Sequence, residues 1–427
     1  MHSFLTTIAA ATLLATSAAA HAEPAWTAHV DPGNQIFPSM VLAMSAAKST
    51  PEAPDASATE EERAVAEETA ARTLGDPDGW FYVTLKAPAD NTPVRVTISC
   101  PDVMETSTFK GVIAKADTLY GVAPKIKWKY KDLARVRQPI PTNVVFKVKL
   151  GDADEEEDLQ VCTLHTINDC PYLHLAPNPD GDGFIAHNLS YTFAAYVNED
   201  HPWVDLLLRD ALNSGLIERF VGYQANTEEE VFRQVYAIWN VLQKRDITYS
   251  DITRTSSRAE MIPSQHVRFL DESIQMKQAN CVDGSVLIAS VLRKIGIDVF
   301  LMLTPSHCYI GFFTDAERKN MVGLETTILG QARKCDFDKT AKLRELMIDA
   351  PSFDDVSFNS FNAALDTGTK ALDQDIKKQL AGEFQYLQVI IKDIRDQGIR
   401  AIPYFPPEKA EKLPDETLHL EHLKINR

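Results

Sequence analysis

The stretch Asn280–Thr327, NCVDGSVLIASVLRKIGIDVFLMLTPSHCYIGFFTDAERKNMVGLETT, decides the fold. Its first part reads as a helix. Val282, Val286, Leu287, Ser290, Val291 and Leu292 recur at helical spacing, Asn280 is a good N-cap, and Gly296 ends the run. Three strands follow. Ile297–Leu303 is apolar, Pro305 and Ser306 make a turn, and His307 opens the return strand. Alternation puts His307, Tyr309, Gly311 and Phe313 on one face and sends Cys308 to the other, as core. The turn DAERKN leads into MVGLETT, a third antiparallel strand that brings Glu325 beside His307.

The order of thiol, imidazole and carboxylate has a chemical meaning. Cys281 sits in the first turn of its helix, where unpaired N–H groups and the positive dipole end favour a thiolate. Those N–H groups also suit an oxyanion. A carboxylate at Glu325 fixes the His307 ring and leaves its other nitrogen to Cys281. The separations need no long unstructured loop. Taken one at a time, the three residues read as a buried helix-start cysteine, a strand-end histidine and a surface acid; the order makes them a candidate site.

The same residues resemble the transglutaminase-like superfamily of papain-like cysteine enzymes, and within it bacterial exported proteins of unassigned function. The resemblance rests on NCVDGSVLIASVLRKIGI, TPSHCYIGFF and GLETT, with QHVRFLDESIQMKQANC as the approach, and covers roughly residues 223–330. It implies a papain-like α+β domain with Cys281 as nucleophile, His307 as general base and acid, and Glu325 as the orienting acid. It implies no cofactor and no metal. Two positions depart from the usual pattern: Tyr309 stands where a Trp is common, and Glu325 where an Asp is common. Gln265, Gln275 and Gln278 are all candidates for a side-chain oxyanion donor.

Outward from this stretch the chain divides. Residues 1–22 read as a secretory signal peptide: Phe4–Ala20 is apolar, and Ala20-His21-Ala22 has the small-x-small form of a cleavage site, so cleavage is expected after Ala22 and the product is expected to be periplasmic or secreted. The n-region lacks Lys and Arg. No later apolar run reaches about 18 residues, so no integral membrane span is expected after signal removal. Residues 23–78 read as a linker with an apolar patch, Ile36–Ala46, docked on the folded body, and Glu60–Arg72 as an exposed helix.

From Trp80 the period is two. WFYVTLKA, VRVTISC, NVVFKVKL, LQVCTLHTI and Leu189–Val197 read as strands of an antiparallel, sandwich-like β-domain over residues 79–198, with Asp152–Asp158 as a solvated loop tip. From His201 the period is helical. His201–Gly215 and Glu228–Arg245 are amphipathic helices, and the transglutaminase-like domain is expected over residues 199–407. Much of Phe361–Ile394 reads as helix, with a break near Gly368, and 408–427 as a peripheral tail. The fold class is therefore α+β, an N-terminal β-sandwich-like domain followed by a papain-like one.

Composition narrows the partners. The net charge of −17 over 427 residues makes nucleic acid and anionic lipid poor electrostatic partners. No Cys-x-x-Cys or His-x-x-x-His pair favours zinc, and His165, His174 and His187 make a metal site only if strands bring them together. Asn178–Gly183 opens like a calcium loop, but Leu189 stands where the bidentate Glu belongs, so a plain turn is expected. Cys162 and Cys170, or one of them with Cys100, suit an oxidising compartment as a disulfide; buried thiols are the alternative, and Cys308 and Cys335 add no fixed pairing. Three functions fit: a thiol enzyme acting on a protein or peptide amide, by hydrolysis or by transglutamination; an inactive binding or scaffold protein of the cell envelope; and, least supported, a metal-dependent hydrolase.

Overall fold

The computed structural model describes residues 25–45, 71–178, 181–251, 256–257, 261–335 and 337–406. The expected leader, nearly all of the Glu60–Arg72 helix and the 408–427 tail lie outside them. The fold is α+β. The chain forms two compact units, one from Met1–Leu42, Ala47–Leu189 and Ser257–Ser264, the other from Ala43–Ala46, Ser190–Ser256 and Gln265–Arg427.

The first unit is built from strands of period two. In Thr92–Ser99, Thr92, Val94, Val96 and Ile98 are buried while Arg95 faces out. Phe81, Val83 and Leu85 do the same in Phe81–Lys86, and Val144, Phe146 and Val148 in Ile140–Leu150. Each such side chain contributes about 1.5–3 kcal/mol by leaving water. One sheet runs in the order Trp26–Val30, Phe81–Lys86, Leu119–Ala123, Thr73–Gly75. Another runs Gln35–Ile36, Glu156–Leu164, Ile140–Leu150, Thr92–Ser99, Ser107–Ile113. Two pairings are parallel rather than antiparallel, Thr73–Gly75 with Leu119–Ala123 and Gln35–Ile36 with Glu156–Leu164.

Three expectations for this region need correction. The segment read as linker from residue 23 already holds a strand, since Trp26–Val30 pairs with Phe81–Lys86 and buries Trp26, Ala28 and Val30. Phe37 and Met40 then form a core cluster with Ile262. The acidic run read as a loop tip enters a strand at Glu156. Its charges find partners: Glu156 accepts from the indole of Trp26, on a strand of the other sheet, at 2.7 Å, and Glu157 pairs with Lys147 on the neighbouring strand at 2.9 Å. The stretch read as a strand over Leu189–Val197 contains a 3-10 helix, Ser190–Tyr196. Six of its seven residues are buried, so neither face carries the polar positions that would reveal a period.

The second unit centres on an antiparallel sheet ordered Met321–Leu324, Cys308–Phe313, Val299–Leu303, Leu387–Ile390. Every residue of its two middle strands is buried. The helix Cys281–Lys294 packs against Cys308–Phe313. The helix Asp355–Leu380 contributes Leu372 to a cluster with Phe300, Met302, Tyr309 and Phe313. That long helix runs unbroken through Gly368, and residues Leu387–Ile390 form a strand rather than its continuation. The glycine is there for contact. A Cβ on Gly368 would lie 2.5 Å from the Gly323 carbonyl carbon, so the helix and the Met321–Leu324 strand meet backbone to backbone. Among the described residues, no helix is long and apolar enough to cross a membrane.

Candidate active site

The approach to Cys281 is fixed before the helix begins. Lys277 turns the chain in the left-handed region at φ 55°, and Gln278–Ala279 pairs in parallel with Thr248–Tyr249. Asn280 then caps the helix, its Oδ1 accepting from the N–H groups of Val282 and Asp283 at 2.9 Å each. Asp283 answers by accepting from Asn280 N at 3.1 Å, a reciprocal capping box. Asp283 is fully buried and also accepts from Arg268 N at 2.8 Å and Arg268 Nη1 at 3.0 Å. Burial pushes its carboxyl up, against the pull of these Arg268 and Asn280 bonds.

Cys281 is therefore the first residue of a capped helix, partly exposed. The Asn280 side chain has claimed two of the first-turn N–H groups. Among the described residues the Cys281 N–H has no partner, so it is the first-turn donor left for an incoming oxygen. The Cys281 carbonyl accepts from Ser285 Oγ at 2.7 Å and Thr326 Oγ1 at 3.3 Å.

His307 comes off the predicted turn, closed by Thr304 N to His307 O at 2.9 Å. It sits one residue ahead of the Cys308–Phe313 strand. Its Nε2 is 2.7 Å from Glu325 Oε2. The Cys281 side chain also acts on the ring, and with Nε2 occupied by Glu325, Nδ1 is the nitrogen left for the sulfur. Burial alone would lower the ring's pKa. The pull of Cys281 and the bond to Glu325, with the negative charge each brings, outweigh it and raise the pKa to about 10.

Glu325 lies just beyond the third strand, not in it. The strand ends at Leu324, and Glu325 caps a 3-10 turn over Thr326–Ile328. This turn is what fits the longer acid to the site. Glu325 Oε1 accepts from Thr327 N at 3.0 Å and Thr327 Oγ1 at 2.6 Å, which leaves Oε2 for His307. Burial pushes the carboxyl up, but the His307 bond and charge and the two Thr327 bonds outweigh it and hold it below its ordinary range. Glu325 N donates to Ala364 O at 3.0 Å, tying the turn to the long helix. Gly284 lets the turn press against the Cys281 helix, since a Cβ there would lie 3.1 Å from Thr326 Cβ.

Tyr309 flanks the site without joining it. Its ring centroid is 6.1 Å from that of His307, and its hydroxyl donates to Asp375 Oδ2 at 3.0 Å. Burial, and then the Asp375 carboxylate, push the phenol up, so it stays a neutral donor. The glutamine candidates stay unassigned. Gln265 Nε2 donates to the His266 carbonyl at 3.0 Å, and Gln278 lies in the pairing with Thr248.

Away from this site, His174 and His187 stand directly opposite each other in a hairpin, their rings 5.6 Å apart. His165 is not with them: it bonds Gln35 Oε1 at 2.7 Å and stacks on Phe37. Among the described residues, no group of three or more His, Cys, Asp and Glu side chains is placed to hold a metal ion. Asn178 N donates to Gly183 O at 3.0 Å, closing the turn read at the calcium-like loop, of which Pro179 and Asp180 lie outside the described residues. Cys100 and Cys162 are buried thiols rather than disulfide partners, and burial pushes Cys162 up to about 12.

Helix cap, turn and strand order were legible in the sequence. The roles of Asp283, Ser285, Thr326 and Thr327 were not drawn from it, although Asn280 followed three residues later by an acid is itself a cap signature. The chain matches no protein-family model and none of the curated proteins.

Proposed function

We propose that the chain is a transglutaminase-like thiol enzyme that attacks an amide of a protein or peptide through Cys281, His307 and Glu325. The observation that carries the reading is the His307 ring held between Cys281 and Glu325, 2.7 Å from the carboxylate. A raised imidazole and a lowered carboxyl favour an imidazolium beside the thiol, and so a thiolate. The thiolate adds to the amide carbonyl carbon, and the oxyanion takes a hydrogen bond from Cys281 N–H. His307 gives its proton to the leaving amine as the C–N bond breaks, leaving a thioester. Water or a second amine, deprotonated by His307, then attacks the thioester and releases the thiol. The acceptor decides between hydrolysis and transglutamination.

The reading includes an architecture and a place. The strand-built unit, with its alternating buried residues, supports a β-sandwich-like N-terminal domain, and the helix-and-sheet unit supports a papain-like one. The apolar, Ala-rich start of the chain and Ala20-His21-Ala22 support export to the periplasm or beyond. An acyl-transferring thiol probe at neutral pH tests the chemistry. Wild type is expected to label at Cys281 and Cys281→Ala not to; equal labelling of the two, or an unlabelled wild type, favours the scaffold reading instead.

A further inference from the structure

A hairpin of the first unit carries two histidines that the thiol chemistry does not use. Its strands, Leu173–Pro177 and Phe184–Asn188, form a two-stranded sheet of their own. The register places His174 directly opposite His187. Bonds from Leu189 N to Tyr172 O and from Asn178 N to Gly183 O, each 3.0 Å, fix that register on either side. Directly opposed residues keep their Cβ atoms about 4.5–5.5 Å apart, so their side chains meet. The two imidazole centres lie 5.6 Å apart, with the ring planes 30° from parallel.

The nitrogens of this pair are uncommitted. His29, His165 and His307 each have a polar side-chain partner, at 2.9, 2.7 and 2.7 Å. Among the described residues, neither His174 nor His187 makes a hydrogen bond or an ion pair, and each has the other ring as its neighbour. Burial, and then the charge of His187, lower the His174 pKa to about 4, so this imidazole is an unprotonated base at neutral pH. The spacing suits a shared ion. A nitrogen ligand sits about 2.0–2.1 Å from a zinc-like ion, which puts its ring centre about 3.2 Å away and, at a near-tetrahedral angle, two such ring centres about 5 Å apart. A small side-chain rotation takes the observed 5.6 Å to that value.

We propose that His174 and His187 form a two-histidine site for a divalent transition-metal ion that favours imidazole: Zn(II), or its neighbours Cu(II) and Ni(II). The ion bridges the two strands of the hairpin, one nitrogen from each. With two protein ligands its other positions go to water, so it exchanges more readily than an ion in a closed four-ligand centre. Its structural effect falls on the hairpin. Two strands alone are marginally stable. The first is tied to residues 261–263 by Tyr172 N to Pro263 O at 3.2 Å and Leu175 N to Met261 O at 2.7 Å. The second carries the exposed Phe184 and Ile185, and a bridging ion pins it to the first. The inference does not depend on Cys281 being a nucleophile.

The test uses the full chain, stripped of metal, and reads Zn(II) bound per chain by equilibrium dialysis. Wild type is expected to hold one ion more than His174→Ala, than His187→Ala and than the double variant, because the site needs both rings. Taking the difference from wild type cancels any Zn(II) held by thiols or by other histidines. Amide hydrogen exchange over residues 184–188, followed by peptide mass spectrometry, reads the effect on the hairpin. With free Zn(II) at ten times the dissociation constant, exchange in wild type is expected to slow about tenfold, as mass action on the ordered hairpin requires, and in the variants not to change. Mg(II), which prefers oxygen ligands, is expected to do neither. Equal Zn(II) uptake by wild type and a single variant overturns the proposal. So does a double variant that loses more than either single one, a slowing that survives in a single variant, or one that Mg(II) reproduces. Should an alanine variant fail to fold, His174→Phe and His187→Phe keep a ring at the pair and carry the same two readouts with the same expected outcomes.

Discussion

Glu325 is the residue on which the site turns. One atom of its carboxylate is held by Thr327 and the other by His307, so the extra methylene relative to Asp is absorbed by a local turn. Thr327→Val keeps the shape and removes the 2.6 Å hydroxyl donor. It is expected to cost about 1.5–3 kcal/mol, as for a hydrogen bond to a charged group, and to slow thiol acylation by about tenfold, read from the denaturation midpoint and from single-turnover labelling. The pair also sets a pH dependence. His307 holds its proton more tightly folded than unfolded, so its contribution is complete below its ordinary 6.5 and is lost as pH rises towards about 10. Glu325 is the reverse, contributing above its ordinary 4.5 and losing that contribution as pH falls through its lowered folded value. The pair is expected to stabilise most between these two ordinary values. Urea midpoints measured from acid to alkaline pH should show this, and Glu325→Gln should flatten the curve on both sides; an unchanged curve would show that the carboxylate is not paired with the ring. At this scale the three residue types were readable in the sequence. That Thr327 holds Glu325 was not, because a hydroxyl next to an acid has many local uses.

The helix Cys281–Lys294 was legible as an element because its cap and apolar stripe agree. Asn280→Ala removes both acceptor bonds of the cap and is expected to cost about 1 kcal/mol and to reduce Cys281 alkylation at neutral pH, checked by thermal unfolding and peptide mass spectrometry. The long helix Asp355–Leu380 was misread at Gly368, since a glycine in a helical pattern signals a break or a close contact and the sequence does not say which. Gly368→Ala is therefore expected to destabilise by 1–3 kcal/mol or more through overpacking against Gly323, with a lower urea midpoint. A near-neutral result would mean that the two backbones are not pressed together. Buried-everywhere segments such as Ser190–Tyr196 hide their period altogether, and the short Trp26–Val30 strand was obscured by its neighbourhood to an Ala, Pro and Glu-rich stretch.

Over the whole molecule, the net charge of −17 makes nucleic acid a poor electrostatic partner, and the proposed export of the chain has its own test. Expressed in full in a bacterial host, the chain is expected to mature with Glu23 as its first residue, read by N-terminal sequencing of the periplasmic and culture fractions; material retained with an intact leader in the cytoplasm would remove the export reading. The sequence by itself determined the α+β class, the helix that presents Cys281 and the strand order that follows, because local periodicity and caps are written in neighbouring residues. The tertiary structure decided that Glu325 reaches His307, that Thr326 and Ser285 clasp the Cys281 carbonyl, and that Arg268 meets Asp283. Those contacts join residues distant in the chain, and their distances depend on how sheet, turn and helix pack.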